Sequence, residues 1–130
     1  MGPVPIAAMY GAFHGLMNVA LAANVTRVRA KSSIFLGTGD NPELLLAARR
    51  HGNHSEYVAL FLVLLAFAEL SHGSAAVLHG AGALFTVARL SHAVGIGDKP
   101  SGARALGALL TWAAIATAGV YALIASMKGM

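Results

Sequence analysis

Val4 to Thr26 reads VPIAAMYGAFHGLMNVALAANVT, 23 residues without a Lys, Arg, Asp or Glu, followed at once by Arg27, Arg29 and Lys31. A helix needs about 20 mostly apolar residues to cross the hydrocarbon core of a bilayer, so this run can span one, and its basic flank stops it at an interface. Three further stretches have the same character: Gly52 to Leu70, Ser74 to Ile96, and Ala105 to Met127, the last again free of charge. The expected fold is therefore all-α, an integral membrane four-helix bundle forming one domain over residues 1–130, with spans at 4–26, 52–70, 74–96 and 105–127. No basic residue precedes Arg27, so the first run does not read as a cleaved signal peptide.

Composition agrees. The chain has 130 residues, of which 57% are hydrophobic and 11% charged, and its mean hydropathy is +0.68. A soluble domain carries about 25% charged residues, far more than this chain has to coat a water-facing surface. With no Cys at all, the chain excludes disulfides, Cys-ligated zinc, thiolate-bound iron–sulfur clusters and a protein thiol nucleophile. Its sequence pI of about 10.0 reflects basic loops rather than a nucleic-acid face. Arg27, Arg29, Lys31, Arg49, Arg50, Arg89, Lys99 and Arg104 fall toward the side of loops one-to-two and three-to-four, and Lys128 alone toward the termini. By the positive-inside rule those two loops are expected in the cytoplasm and both termini outside, in a bacterial inner membrane if the source is bacterial.

Between the first two spans, Gly37-Thr38-Gly39-Asp40-Asn41-Pro42-Glu43 combines loop glycines, a capping Asn41, Pro42 for a first helical position and Glu43 to complement the dipole. The second helix is expected to begin near Pro42 and to run inward through Arg49 and Arg50. Within the spans Glu56 and Arg89 stand out, because ionisable groups in hydrocarbon face a partner, a cavity or a site. If the turn between helices two and three is centred between His72 and Gly73, Glu56 and Arg89 lie at one depth, about 25 Å from it at the helical rise. The same mirror sets Asn53 level with His92. Arg49, Asn53 and Glu56 form one stripe of their helix, as do Phe85, Arg89 and His92. Two readings follow, a buried ion pair that fixes the hairpin or a ligand site. One Glu cannot neutralise Arg49, Arg50, Arg89 and Arg104 together, which favours a polar cleft with room for an anion.

The run Arg49-Arg50-His51-Gly52-Asn53-His54-Ser55-Glu56-Tyr57 resembles the R-x-x-x-N-x-x-E-Y pattern of the MAPEG family, the membrane-associated proteins of eicosanoid and glutathione metabolism. Arg89 to His92 is similar to the R-x-x-H stretch of its prostaglandin E synthase branch, and Arg104 looks like the arginine that members place over the glutathione thiol. The resemblance implies a homotrimer binding glutathione in clefts between subunits near the cytoplasmic face. It implies that Arg49, Asn53, Glu56, Tyr57, Arg89 and His92 hold glutathione, with Glu56 partnering its amino group, and that His51 and Arg27 or Arg29 reach it from the adjacent subunit. Arg104 is then the catalytic residue that stabilises the thiolate. Ile96 stands where many members have a tyrosine, and Ala59 replaces a common proline. The implied function is a glutathione-dependent transferase or peroxidase acting on lipophilic electrophiles. Two other readings compete with it: a small proton-coupled exporter using Glu56, and a catalytically silent protein of the same fold.

The remaining signals read as structural. Gly11 and Gly15, with Ala7, make a small-residue stripe suited to close helix packing, and His14 with Asn18 a short polar stripe suited to interhelical hydrogen bonds. His51 and His54 have no second histidine pair to complete a metal site, so no metal is expected. Trp112 and Tyr121 read as packing or lipid-facing groups.

Overall fold

A computed structural model describes residues 4–97 and 99–128, which places Asp98 of the last loop outside the described residues. They form four helices, α1 (Pro5–Ser32), α2 (Pro42–Leu70), α3 (Ala75–Gly95) and α4 (Gly102–Lys128), with no strand among the described residues. Helix α1 packs mainly on α2, α2 also on α4, and α4 most extensively on α3. Loops α1–α2 and α3–α4 share one end of the bundle, here the basic end.

Local chemistry accounts for the helix boundaries. Asn41 caps α2, its side chain accepting the Leu44 N–H at 2.9 Å, with Pro42 and Glu43 in the first turn as expected. Helix α1 has no acid in its own first turn. Glu69 at the end of α2 supplies one, its two carboxylate oxygens accepting the Ile6 and Ala7 N–H groups, each at 2.8 Å. A carboxylate at a helix N-terminus satisfies orphan donors and complements the dipole, so this contact ties the first helix to the second. At the basic end Arg29 donates to the carbonyls of Ile34 and Gly37, holding the loop that leaves α1 through the left-handed Ser33.

Helices α1, α2 and α4 are each long and apolar enough to cross a membrane. The third expected span is not among them: at 21 residues α3 is long enough, but His79, Arg89 and His92 lower its hydropathy. Of these, Arg89 and His92 are buried, so the helix keeps its arginine away from the surface. Outward-facing Leu16, Val19, Val94, Leu123 and Met127 leave the exterior apolar, as a lipid-facing surface requires.

The core joins Ala7 of α1, Phe61, Leu65 and Ala68 of α2, Leu78, Ala81 and Phe85 of α3, and Ala114 and Ala118 of α4. Phe61 and Phe85 stack with centroids 3.9 Å apart and planes 6° from parallel, one residue from the mirror drawn about the α2–α3 turn. The glycine stripe of α1 packs differently from expectation. A Cβ on Gly11 would meet Leu62 at an ordinary 3.8 Å, and one on Gly15 would meet nothing within 4 Å. Close approaches occur instead at Gly73, Gly82, Gly95 and Gly107.

Candidate functional site

Two adjoining cavities of about 380 and 370 Å³ open at the basic end among α2, α3 and α4, and share Asn53, His92 and Arg104 as lining. The first is completed by Tyr57, Arg89, Thr111 and Trp112, the second by Arg49 and the apolar Leu45, Leu46 and Ile96.

Arg89 sits at the heart of the first cavity and is only 1% exposed. Its guanidinium donates to Asn53 Oδ1 at 2.6 Å and to Thr111 Oγ1 at 3.2 Å, and lies 5.5 Å from the centroid of the Tyr57 ring. Thr111 donates its own hydrogen to the Gly107 carbonyl at 2.7 Å, leaving its oxygen free to accept from Arg89. All of these partners are uncharged, and Arg89 Nε has none. The Arg89–Glu56 ion pair, the first of the two readings offered by the sequence, is not formed. Among the described residues the ion pairs are those of Glu43 with Arg27 and Lys31. The depth of the hairpin register is right, since Tyr57 meets Arg89. It is the face that differs: Asn53 and Tyr57 point inward, while Glu56, about 60° from Asn53 on the side away from Tyr57 and so about 100° from Tyr57, is exposed.

The structure thus brings together Arg49, Asn53, Tyr57, Arg89, His92 and Arg104. Arg27, Arg29, His51 and Glu56 lie outside both cavities within one chain. Arg27 is held by Asn24 and Glu43, and Arg29 by its own loop. Several lining residues carry no signal that singles them out in the sequence, but two of them on α4 follow a recognisable spacing. Thr111 is seven residues after Arg104, and Ala108 four, the same spacing that marks the stripes of α2 and α3. Trp112 combines both roles: 56% exposed, it also lines the first cavity and donates Nε1–H to the Tyr57 hydroxyl at 3.4 Å.

Helix ends fix this geometry. Arg50 donates to the Ile96 carbonyl at 2.8 Å, satisfying the C-terminus of α3 from α2, and Ser91 donates to the Ala103 carbonyl at 2.8 Å, tying α3 to the first turn of α4. No cluster of three or more His, Cys, Asp or Glu suited to a metal occurs among the described residues. Between α1, α2 and α3 lies a separate polar group: His14 bonds Thr86 at 3.2 Å, His54 donates to the His14 carbonyl at 3.3 Å, and Ser55 donates to Asn18 at 2.8 Å. The α1 polar stripe therefore makes the interhelical bonds its spacing suggests.

The chain matches the MAPEG family over residues 7–124. It belongs to the MAPEG family. Among curated proteins it is similar to the inner membrane protein YecN of two Escherichia coli strains, in each case 29% identical over 110 residues, covering 85% of this chain and 84% of the relative. No solved structure matches the chain significantly. The family, the four helices and the apolar exterior make this a MAPEG-family membrane protein, and the motif residues Arg49, Asn53 and Tyr57 converge with His92 on its cavities.

Proposed function

We propose that this MAPEG-family protein is a membrane-bound glutathione-dependent transferase or peroxidase acting on lipophilic electrophiles. The observation that carries the reading is Arg89, a guanidinium buried without a carboxylate partner beside a cavity that Arg104 also lines, with Arg49 in the next. An unpaired buried cation is costly, and a di-anionic ligand offsets that cost. Glutathione supplies the thiol that a chain without cysteine lacks. Its carboxylates suit Arg49 and Arg89, its peptide groups suit Asn53, Tyr57 and His92, and Arg104 favours a charged sulfur over a neutral one. The thiolate attacks the electrophilic carbon or peroxide oxygen, and the leaving group takes its electron pair and then a proton from solvent. Leu45, Leu46 and Ile96 give the adjoining cavity an apolar wall for the second reactant.

No acid lines either cavity among the described residues, so the ligand's amino group is assigned to Glu56 of a neighbouring subunit. His51 and either Arg27 or Arg29 are assigned the same way. The working form is then taken to be the homotrimer that the family resemblance implies, with the basic end in the cytoplasm by the positive-inside rule. The exporter alternative is less favoured, because Glu56 faces outward and away from both cavities.

The test is calorimetric titration of glutathione into the detergent-purified protein, with the ultraviolet absorbance of the thiolate followed across pH. Saturable binding with a thiol pKa below its free value is expected. Absence of binding by the purified trimer rejects the proposal.

A further inference from the structure

We infer that Gly95 and Gly107 are positioning residues for this anion site, acting by letting the backbones of α3 and α4 touch where His92 and Arg104 emerge. The inference rests on the proposed function only for its kinetic consequence; the geometry stands without it. A Cβ on Gly95 would lie 2.2 Å from Arg104 N and 2.7 Å from its Cα, and one on Gly107 would lie 2.5 Å from His92 N and 2.7 Å from its Cα. Both clashes are with backbone, so no side-chain rotation relieves them. The two contacts are reciprocal: each glycine meets the backbone of the site residue on the opposite helix.

They also share one antiparallel register. Three residues separate His92 from Gly95 on α3, and three separate Arg104 from Gly107 on α4. Continued along the helices, this register sets Ala88, Phe85 and Ala81 opposite Thr111, Ala114 and Ala118, all six of them buried. Small residues facing one another allow two membrane helices to lie flush. Glycine carries that approach to its limit at the basic end, where the hydroxyl bond from Ser91 to the Ala103 carbonyl fastens it. The Arg104 side chain is exposed and in the first turn of its helix, so its placement depends on its backbone. Ordinary contact begins at 3.4 Å, so a methyl on Gly95 forces Arg104 away by about 1 Å, and a misplacement of that size costs up to about 100-fold in rate.

Because the chain has no cysteine, a thiol can be introduced at a single position to report on Arg104. Ser101 lines the first cavity with Arg104, so the pH dependence of alkylation of the Ser101→Cys protein by iodoacetamide measures how strongly the guanidinium favours the thiolate. The thiol pKa is expected below the ordinary value of about 8.5, and Arg104→Gln on that background should raise it. Gly95→Ala should raise it by a similar amount, Gly107→Ala in the same direction. Gly119→Ala should leave it unchanged, since a Cβ there meets Leu64 at an ordinary 3.7 Å. If Gly95→Ala fails to assemble, Ser91→Ala, which loses only the bond to Ala103, should give a smaller shift of the same sign.

An unmoved thiol pKa in Gly95→Ala, or in Arg104→Gln, overturns the inference. In the otherwise unaltered protein, Gly95→Ala should lower kcat 10-fold to 100-fold with little change in KM for glutathione. The alkylation assay contains no glutathione. A protein that shows the thiol shifts but binds no glutathione therefore refutes the proposed function and leaves the positioning role standing.

Discussion

Two polar clusters lie inside this bundle, and they are built on opposite principles. Between α1, α2 and α3, His14, His54 and Thr86 bond one another and the backbone with no carboxylate, guanidinium or ammonium group among them, and both ring Nδ1 atoms are buried without a partner. Thr86 gives its hydrogen to the Gly82 carbonyl at 2.8 Å, so His14 Nε2 must be the donor to Thr86, and His54 Nε2 donates to a carbonyl. Each ring carries its hydrogen on Nε2, and both side chains are fully buried. Among α2, α3 and α4, by contrast, Arg89 carries a fixed charge into the interior and meets only neutral partners beside open cavities. The first cluster carries no fixed charge, lines neither cavity and holds helices together. The second lacks an anion and has room for one.

The sharpest way to break this comparison is at Asn53. Asn53→Leu removes the acceptor of the 2.6 Å bond and strands the guanidinium, so a loss of about 3 kcal/mol is expected in equilibrium unfolding in mixed micelles. Arg89→Met removes the charge and keeps much of the volume. It should be close to neutral for stability, as replacement of buried charge by apolar groups often is, while abolishing glutathione binding. A stable Asn53→Leu protein, or an Arg89→Met protein that still binds, contradicts the assignment of Arg89 as an incomplete ion pair.

The histidine cluster should respond the other way. His54→Phe preserves ring bulk and loses one hydrogen bond, with an expected cost of about 1 kcal/mol and no change in glutathione affinity. Affinity falling as far as in Arg89→Met would mean that the two clusters are one functional unit.

How much of this was legible in the sequence depended on whether the signal was local. The start of α2 could be read from Asn41, Pro42 and Glu43 because a cap is a matter of adjacent residues. The depth of Arg89 could be read because a short turn fixes an antiparallel register, and Tyr57 and Phe61 meet Arg89 and Phe85 within a residue of it. The face of Glu56 could not. Helix α2 has neighbours on two sides, and the side that receives each residue is settled by how α1 and α4 pack, which no spacing within α2 encodes. The glycines misled for the same reason: the G-x-x-x-G of α1 resembles a packing motif, yet Gly15 faces open space, while isolated Gly95 and Gly107 make the tightest contacts with site residues. Gly15→Ala is accordingly expected to stabilise the protomer by about 0.5 to 1 kcal/mol through helix propensity. A loss of stability or of self-association in that variant would place Gly15 against a second copy of the chain.

Glu69 is the charge that belongs to neither cluster, and it sharpens the distinction between them. It was passed over in the sequence because it ends a span, where an acid reads as solvated, and its partners are the Ile6 and Ala7 amides more than 60 residues away. Here a formal charge is answered by the N-terminus of α1 rather than by a counter-ion, so it needs no ligand despite being partly buried. Glu69→Gln keeps an acceptor oxygen and loses the charge, so the loss should be small, about 0.5 kcal/mol. Glu69→Ala, which removes both, should lose about 1 to 2 kcal/mol, read in each case by unfolding in mixed micelles. Neither should alter glutathione binding. A large effect of Glu69→Gln on affinity would show that the position of α1 governs the cavities, and would tie the end of the molecule that holds the termini to the basic end where the arginines converge.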